Sequence, residues 1–276
     1  MSAGTLFIVA TPIGNLADAS PRSIAVLRAA AIVACEDTRV TRTLLAEHGV
    51  RARMLALHEH NERAAAAELI EALRRGGSVA LVSDAGTPGL SDPGAHLVAQ
   101  AHVAGIRVSP IPGPSAAAAA FSASGFAADR FLFAGFLPSA AAARRKALES
   151  LDLPWPLILY EAPHRIAATL QDLAARFGEQ REIVIGRELT KKFEEIVRLR
   201  LGGAPAWLAA DPHRRQGEFV LVLAPGEPKE PAAAEAERVL DALLGAVSPS
   251  EAARLAARIT GIPKGVLYRK ALERSK

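Results

Sequence analysis

Residues 80–94 read Ala-Leu-Val-Ser-Asp-Ala-Gly-Thr-Pro-Gly-Leu-Ser-Asp-Pro-Gly. The apolar start of this stretch predicts the end of a buried strand. Asp92-Pro93 predicts a helix start, with Asp92 as the N-cap and Pro93 at the first helical position. Connections between such elements usually need only about 2–6 residues, so this longer loop of small and turn-forming residues is typical of a ligand site. Because glycines let the backbone approach a ligand closely, we expect the loop to bind one, with Asp84 and Thr87 holding its polar groups.

Strand and helix patterns alternate on both sides of this loop through the first half of the chain. Apolar strand patterns fall at residues 6–10, 31–35, 53–57, 79–82 and 106–109. Helical patterns follow them at residues 21–30, 38–48, 62–75, 93–104 and 116–124, with Ser20, Thr38 and Asn61 as further predicted N-caps. This succession of βα units predicts a mostly parallel sheet with helices on both faces.

In the second half of the chain, strands and helices follow one another in a less regular order. Strand patterns occupy residues 131–136, 157–160, 182–187, 195–201 and 218–223, and helical patterns occupy residues 140–151 and 163–177. Two successive strands without a long helix between them predict a mixed sheet. Residues 225–231 read Pro-Gly-Glu-Pro-Lys-Glu-Pro, which predicts a linker, and three short helices follow at 232–244, 249–260 and 264–274. We therefore predict an N-terminal α/β domain at 1–125, a C-terminal α/β domain at 126–226 and a helical tail at 232–276.

Composition restricts the kind of protein. The chain has 276 residues, half of them apolar, and a net charge of +4, which permits an anionic partner without requiring one. Its single cysteine, Cys35, excludes an internal disulfide framework and a cysteine-based zinc site, and no metal is expected. No apolar segment is long enough to span a membrane and the N-terminus lacks the basic region of a signal peptide, so we expect a cytoplasmic protein.

Five motifs, taken in order and spacing, resemble one family. They are residues 6–16 (Leu-Phe-Ile-Val-Ala-Thr-Pro-Ile-Gly-Asn-Leu), 35–39 (Cys-Glu-Asp-Thr-Arg), the loop at 83–94, 160–165 (Tyr-Glu-Ala-Pro-His-Arg) and 186–191 (Gly-Arg-Glu-Leu-Thr-Lys). Together they resemble the RsmI branch of the tetrapyrrole-methylase superfamily, which methylates the ribose 2′-oxygen of a cytidine in 16S ribosomal RNA. The resemblance implies an α/β, two-domain tetrapyrrole-methylase-like fold, with a mostly parallel N-terminal sheet, a mixed C-terminal sheet and a small helical C-terminal tail. It also implies S-adenosylmethionine in the cleft between the domains, a homodimer, and 16S rRNA or the 30S subunit as partner.

The resemblance implies a set of cofactor contacts within these motifs. The residues are Pro12, Ile13, Asp84, Thr87, Gly89, Leu90, Ser115, Ala116, Tyr160 and Arg187. Backbone groups of residues 87–90 and 115–116 are expected to make most of the contacts, and the Asp84 carboxylate is expected to pair with amino or hydroxyl groups of the cofactor. The alternative for Asp84 is a turn or capping residue.

A ribose hydroxyl is a poor nucleophile at neutral pH, so a base is expected. The candidate catalytic residues are Glu36, Glu161 and His164, with Asp37 and Glu188 as further carboxylates near the same motifs. Alternatively, Asp37 or Thr38 caps the next helix, Arg39 pairs with a carboxylate, and the proton is lost to water. The sequence does not choose among these.

Cations near the expected cleft would contact RNA phosphates. The candidates are Arg39, Arg42, Arg165, Arg187, Lys191 and Lys192. The basic helical tail is either an RNA-docking element or a small packing element.

Two other functions remain open at this point. The first is methylation of a tetrapyrrole by the same fold. Against it, residues 10–15 read Ala-Thr-Pro-Ile-Gly-Asn, where many tetrapyrrole methylases have Gly-Pro-Gly-Asp-Pro. The second is non-catalytic nucleic-acid binding through the tail, which leaves the cleft motifs without a purpose.

Overall fold

The computed structural model describes residues 3–58, 60–226 and 233–274, and the chain divides into two compact units, Met1–Pro225 and Gly226–Lys276. The first unit contains two five-stranded sheets, and the second contains three helices. The predicted division of the first unit near residue 125 stays a prediction. The predicted linker falls mostly on residues 227–231, which lie outside the described residues, as does residue 232, the predicted first residue of the tail helix.

The five strands of the first sheet all pair in parallel, where the sequence predicts a mostly parallel sheet. Its strands are β1 (Thr5–Val9), β2 (Ile32–Cys35), β3 (Met54–Ala56), β4 (Val79–Val82) and β5 (Arg107–Ile111), in the order β3-β2-β4-β1-β5. Its helices are α1 (Pro21–Ala29), α2 (Thr38–Glu47), α3 (Glu62–Arg74) and α4 (Ala95–Val103). Leu27 and Leu44 bury α1 and α2 against one face, and Leu69 and Leu97 bury α3 and α4 against the other. Every residue of β2 and β4 is buried, which explains their uninterrupted apolar sequence.

The second sheet is mixed, again as predicted. Its strands are β6 (Leu132–Phe136), β7 (Leu157–Glu161), β8 (Glu182–Arg187), β9 (Glu195–Arg200) and β10 (Phe219–Leu223), in the order β6-β7-β10-β8-β9. Only β6 and β7 pair in parallel. The helices α6 (Ala141–Glu149), α7 (Ile166–Phe177) and α8 (Ala204–Ala209) pack on one face of this sheet.

Helix α5 (Ala116–Ser124) follows the last strand of the first sheet and packs on the free face of the second. Ala117 and Ala120 bury against Ile158, Val184 and Val220. Small side chains let this helix lie close to the strands, and alanine also favours the helix itself. The helix therefore brings the carboxyl-end loops of the first sheet next to strands of the second.

The second unit is a three-helix structure, α9 (Ala233–Leu244), α10 (Pro249–Thr260) and α11 (Lys264–Arg274). Leu240, Ala256 and Leu267 are among its buried core residues. The Ser248 hydroxyl caps α10, and Gly261, with φ +74°, ends it in the left-handed conformation that glycine tolerates. These are the bounds that the sequence predicts for α10 and α11.

The predicted start of α4 at Asp92-Pro93 is wrong, because the helix begins two residues later, at Ala95. The Glu62 carboxylate, at the start of α3, accepts hydrogen bonds from the backbone N–H of Gly94 (2.9 Å) and His96 (3.0 Å). A residue 32 positions away in sequence thus satisfies the amides that a local cap would serve. Asp92 remains in the loop.

At three other helices the cap or the start differs from the prediction. Asp37, rather than Thr38, caps α2 by accepting from Arg39 N–H at 2.7 Å, which is one of the alternatives above. Asn61 makes no side-chain cap on α3, because its amide instead binds the backbone of Ala56 and His58. Helix α7 begins at Ile166 rather than Pro163. Helix α8 was not predicted.

A candidate active site between the two sheets

Strands β2 and β4 are neighbours, but the helices that follow them lie on opposite faces of the sheet. Their carboxyl-end loops therefore diverge, which opens the crevice where α/β sheets bind ligands. The Asp37 N–H donates to Asp84 Oδ1 at 3.0 Å and joins the two loops across it.

A cavity of about 500 Å³ occupies this crevice and extends to the second sheet. Its volume lies in the usual range for small-molecule sites. The predicted residues that line it are Ile13, Glu36, Asp84, Thr87, Leu90, Ser115, Ala116, Tyr160, Glu161 and Lys191. Sequence reasoning missed further lining residues, namely Ala85, Gly86, Ser91, Asp92, Phe136, Ala162, Pro163, Leu189, Glu218, Phe219 and Val220.

The loop after β4 is fastened to the loop after β1. Thr11 and Gly86 exchange two backbone hydrogen bonds of 2.8 and 3.0 Å, and the Thr11 hydroxyl also donates to Ser83 O at 3.1 Å. Gly86 has φ +86°, which glycine adopts without strain. The Thr87 hydroxyl donates to Pro114 O at 3.1 Å, which ties the same loop to the one after β5. Three strand-end loops thus form one rigid wall.

Three carboxylates, Glu36, Asp84 and Asp92, lie on one side of the cavity. Burial, together with the charges of Glu36 and Asp84, raises the pKa of Asp92 to about 6, against a hydrogen bond to Ser83 that lowers it. Burial, followed by the charge of Asp84, also raises the pKa of Glu36. Such an acidic wall favours a cationic ligand. Among the described residues, no group of acidic, histidine or cysteine side chains has the arrangement of a metal site.

Asp92 is the missed residue with the most chemical consequence. The pattern Asp-Pro after Ser predicts a helix cap. The oxygens of a capping carboxylate would accept hydrogen bonds from backbone N–H groups and would not be available to a ligand. Glu62 takes that role, so Asp92 is left with its carboxyl at the cavity wall. The preceding Ser91 has φ +66°, an uncommon conformation for a residue with a side chain, and such strain is found mostly at functional sites.

Tyr160 also lines the cavity, and its hydroxyl and ring are held in place. The Ala117 N–H, in the first turn of α5, donates to Tyr160 Oη at 3.2 Å. Burial raises the pKa of the phenol, so it stays neutral. Its ring packs edge-to-face between Phe133, at 4.9 Å, and Phe136, at 5.6 Å. This places a rigid aromatic surface beside the N-terminus of α5.

Two candidates for the base are placed unfavourably. Glu161 lines the cavity, but its carboxylate accepts from the Thr169 hydroxyl (2.5 Å) and from Ala162 N–H (2.8 Å), and Arg165 Nε lies 3.1 Å away. Both of its oxygens are thus used inside the protein. His164 is exposed and is not part of the cavity lining.

Three predicted cofactor contacts also lie outside the lining. Pro12 is buried beside it, and Gly89 faces a separate apolar groove on the side of α4. Arg187 is buried, and its guanidinium donates to three backbone carbonyls, those of Gln216 (2.9 Å), Phe193 (3.1 Å) and His213 (2.8 Å). Arg187 therefore holds loops together.

The predicted RNA contacts fall into two groups. Arg165 donates to the carbonyls of Leu137 (2.5 Å) and Pro138 (3.2 Å), and Lys191 pairs with Glu188 (2.9 Å) and Glu218 (3.2 Å). Arg39, Arg42 and Lys192 are exposed.

Arg39 is exposed but not unpaired. Its guanidinium lies 2.6 Å from Asp37 Oδ2. The hydrogen bonds from the Arg39 side chain and from its backbone N–H, in that order, are the main causes that lower the pKa of Asp37 to about 2. The pairing of Arg39 with a carboxylate is the alternative that the sequence left open.

Comparison with known proteins identifies the family. The protein-family model described as Tetrapyrrole (Corrin/Porphyrin) Methylases matches residues 5–205, and the family model described as RsmI C-terminal HTH domain matches residues 230–275. The Ribosomal RNA small subunit methyltransferase I of Pseudomonas aeruginosa is 51% identical over 278 residues, 99% of each chain. That of Escherichia coli O157:H7 is 47% identical over 274 residues, which cover 99% of this chain and 96% of the relative.

The chain belongs to the ribosomal RNA small subunit methyltransferase I family. It is a methyltransferase, so the non-catalytic alternative is wrong. Solved structures show the fold. A uroporphyrin-III-C-methyltransferase from Thermus thermophilus has a TM-score of 0.57 and 21% identity, over 80% of this chain and 94% of that one. A cobalt precorrin-4 methyltransferase has a TM-score of 0.58 and 16% identity, over 79% of this chain and 94% of that one. The predicted tetrapyrrole-methylase fold is confirmed.

Proposed function

We propose that this methyltransferase uses S-adenosylmethionine to methylate the ribose 2′-hydroxyl of a cytidine in 16S rRNA of the small ribosomal subunit. The observation that carries the proposal is the cavity in the crevice between the loops after β2 and β4, which is lined by three carboxylates and by the aromatic rings of Phe136 and Tyr160. The names of the full-length relatives support the RNA acceptor.

The cavity residues fit the cofactor. S-adenosylmethionine is cationic at its sulfur and its amino group, and Glu36 and Asp84 supply carboxylates for cationic and hydroxyl groups. Ile13, Leu90 and Ala116 supply apolar lining for a purine. When bound, the cofactor supplies a methyl group on a positively charged sulfur, which is already a good leaving group.

Asp92 is the residue best placed to accept the proton of the attacking hydroxyl. Its pKa of about 6 leaves it ionised at neutral pH and still basic enough to take a proton, which is the range in which general bases work best. The proton of the attacking 2′-hydroxyl would pass to the Asp92 carboxylate, while the cofactor, held by residues such as Glu36 and Asp84, would supply the methyl group and keep the electron pair of the C–S bond on its sulfur. Glu36, whose pKa is also raised, is the second choice.

The rigid walls of the cavity supply alignment. The hydrogen bonds of Thr11, Thr87 and Tyr160 fix the loops, so the cavity is organised before substrate arrives. Holding two reactants in line can supply a large part of a rate enhancement. Arg42 and Lys192, which are exposed, are the candidates for phosphate contacts.

We also propose a homodimer. An apolar groove of about 450 Å³, lined by Ile8, Leu81, Val98 and their neighbours, lies on the α4 side of the first sheet. In that region α4 covers β1 only in part, which leaves Ile8 half-buried, and sheet faces of this kind are normally covered. A dimeric mass in sedimentation equilibrium would support this, and a monomer at micromolar concentration would contradict it.

Among the described residues, none of the helices is both long and apolar enough to cross a bilayer.

The decisive experiment is transfer of a labelled methyl group from S-adenosylmethionine to undermethylated 30S subunits, followed by nucleoside analysis. We expect 2′-O-methylcytidine as the product. Methylation at a base, or no incorporation by an enzyme that binds S-adenosylhomocysteine, would refute the proposed acceptor. Naked 16S rRNA, tested in parallel, shows whether the assembled subunit is required.

A further inference from the structure

One large aromatic side chain stands exposed at the mouth of the cavity. Phe136, the last residue of β6, has 54% of its surface accessible to solvent although it lines the cavity. Single exposed apolar residues are common on protein surfaces, but an exposed aromatic ring at a polar cavity is a typical recognition element.

The Phe136 ring is held in place by contacts with other aromatic rings. It packs edge-to-face on Tyr160, with ring centroids 5.6 Å apart, and Tyr160 packs in the same way on Phe133 at 4.9 Å. The Tyr160 hydroxyl is itself anchored by Ala117 N–H. The three rings therefore form a continuous row of edge-to-face contacts that ends at the cavity mouth. Because Phe136 is already held by this row, it loses little conformational entropy when a ligand packs on it.

The position of Phe136 relative to the acidic wall is set by a glycine. Gly135 has φ +60°, and a Cβ at this residue would lie 2.8 Å from Ser91 Oγ. The end of β6 thus touches the loop next to Asp92. The side chain of Leu90, 42% exposed, provides a second apolar surface in the same cavity lining.

We propose that Phe136 is the stacking platform for the base of the nucleotide that is methylated, and that this nucleotide is taken up unpaired. The inference rests on the proposed function. If the 2′-hydroxyl is to reach Asp92, the base on the same ribose must leave its helical stack and needs an apolar face to replace it. Aromatic side chains serve splayed-out RNA bases in this way.

The stacking role predicts a specific pattern among variants. Phe136→Ala should lower kcat/KM for 30S subunits about 10- to 100-fold, as expected for loss of one base–aromatic stack. Phe136→Trp should restore most of it, whereas Phe136→Leu, which keeps apolar area but has no aromatic face, should not. The affinity for S-adenosylhomocysteine, measured by calorimetry, should stay within twofold in all three variants.

Phe131→Ala is the matched control. Phe131 is also exposed (43%) and also packs on another ring, that of Phe121 at 4.8 Å, but it does not line the cavity. It should leave kcat/KM within about twofold. Thermal melts of both variants show whether either effect reflects unfolding.

Subunits reconstituted with 16S rRNA that lacks the base, but keeps the ribose, at the target nucleotide give the closing test. On these, wild type and Phe136→Ala should methylate at equal rates, because there is no base to stack. An undiminished difference on the abasic substrate, full activity of Phe136→Ala on normal subunits, or a loss of S-adenosylhomocysteine binding in that variant would each overturn the proposal. If the wild-type enzyme forms no 2′-O-methylcytidine on normal subunits, the proposed function fails instead of the stacking proposal.

Discussion

At the scale of single residues, the position of Asp92 is the basis of the chemistry proposed for the site. Ser-Asp-Pro-Gly predicts a capping aspartate, yet the structure leaves this carboxyl at the cavity wall. The reason is that Glu62 satisfies the amides at the start of α4. Asp84 and Glu36, in contrast, were predicted from the sequence as site residues and do line the cavity, although their roles stay predictions.

Replacing Asp92 with Asn should slow the reaction while leaving the cofactor site intact. Removal of a general base typically costs about 10²- to 10⁴-fold in kcat. We expect a loss in this range for 30S methylation, with little change in S-adenosylhomocysteine affinity, and a wild-type kcat/KM that falls with decreasing pH below about 6. Asp18→Asn, at an exposed position, is the control. A variant that keeps its rate would remove Asp92 from the mechanism.

The same substitution should stabilise the protein at neutral pH. The folded-state pKa of Asp92, about 6, lies above the unfolded value of about 3.9, so the folded protein binds the extra proton and stability falls as pH rises through this interval. Asp92→Asn removes this penalty. Because the carboxyl is only half-buried and solvent screens it, we expect a gain of about 1 kcal/mol at pH 7.5 that disappears below about pH 4. Urea unfolding at the two pH values measures it. Equal stability of variant and wild type at pH 7.5 would contradict the raised pKa.

At the scale of elements, helix ends divide into those with local caps and those without. Ser20, Ser115 and Ser248 each accept a backbone N–H from their own first turn, and these helices begin where the sequence predicts. The start of α4 depends on Glu62, in another helix. A local pattern cannot reveal a cap that comes from a distant segment.

Glu62→Ala should therefore destabilise the fold although α3 itself tolerates alanine well. Two amides at the start of α4 lose their acceptor, and loss of a cap costs about 0.5–2 kcal/mol. Urea unfolding should report this loss, and amide exchange at residues 94–96 should accelerate. Glu71→Ala is the control in the same helix, because the exposed pair of Glu71 with Arg74 contributes little. Equal effects of the two variants would rule out the capping role.

At the scale of the whole first unit, the two sheets are joined through α5 and through loops held by buried polar groups. Arg187 shows how such groups hold the loops around the second sheet, since its guanidinium donates to the carbonyls of residues 193, 213 and 216. The family motif Gly-Arg-Glu suggested a cofactor or RNA contact for it. In the structure, its guanidinium N–H groups donate to backbone carbonyls instead.

Arg187→Lys should reveal this structural role. Lysine keeps the charge but lacks the planar fork that serves three carbonyls, so at least one is left unsatisfied at about 1–3 kcal/mol. We expect a lower urea midpoint with nearly unchanged S-adenosylhomocysteine affinity. Arg200→Ala, which removes an exposed hydrogen bond to Gln180, should change stability by no more than about 0.5 kcal/mol. A weaker cofactor affinity at unchanged stability would restore the original prediction.

The sequence by itself determined nearly all strands and helices in their order along the chain, the parallel and mixed character of the two sheets, and about half of the residues of the cavity wall. These follow from local periodicity, local turns and motifs whose residues stay close along the chain. Only the tertiary structure decided which titratable groups remain available. It tied Glu161 to Thr169, Arg187 to backbone carbonyls and Arg39 to Asp37, and it left Asp92 and Phe136 at the cavity. The physical reason is that the pKa and the hydrogen bonds of a side chain depend on the groups around it in space, many of which are distant in sequence.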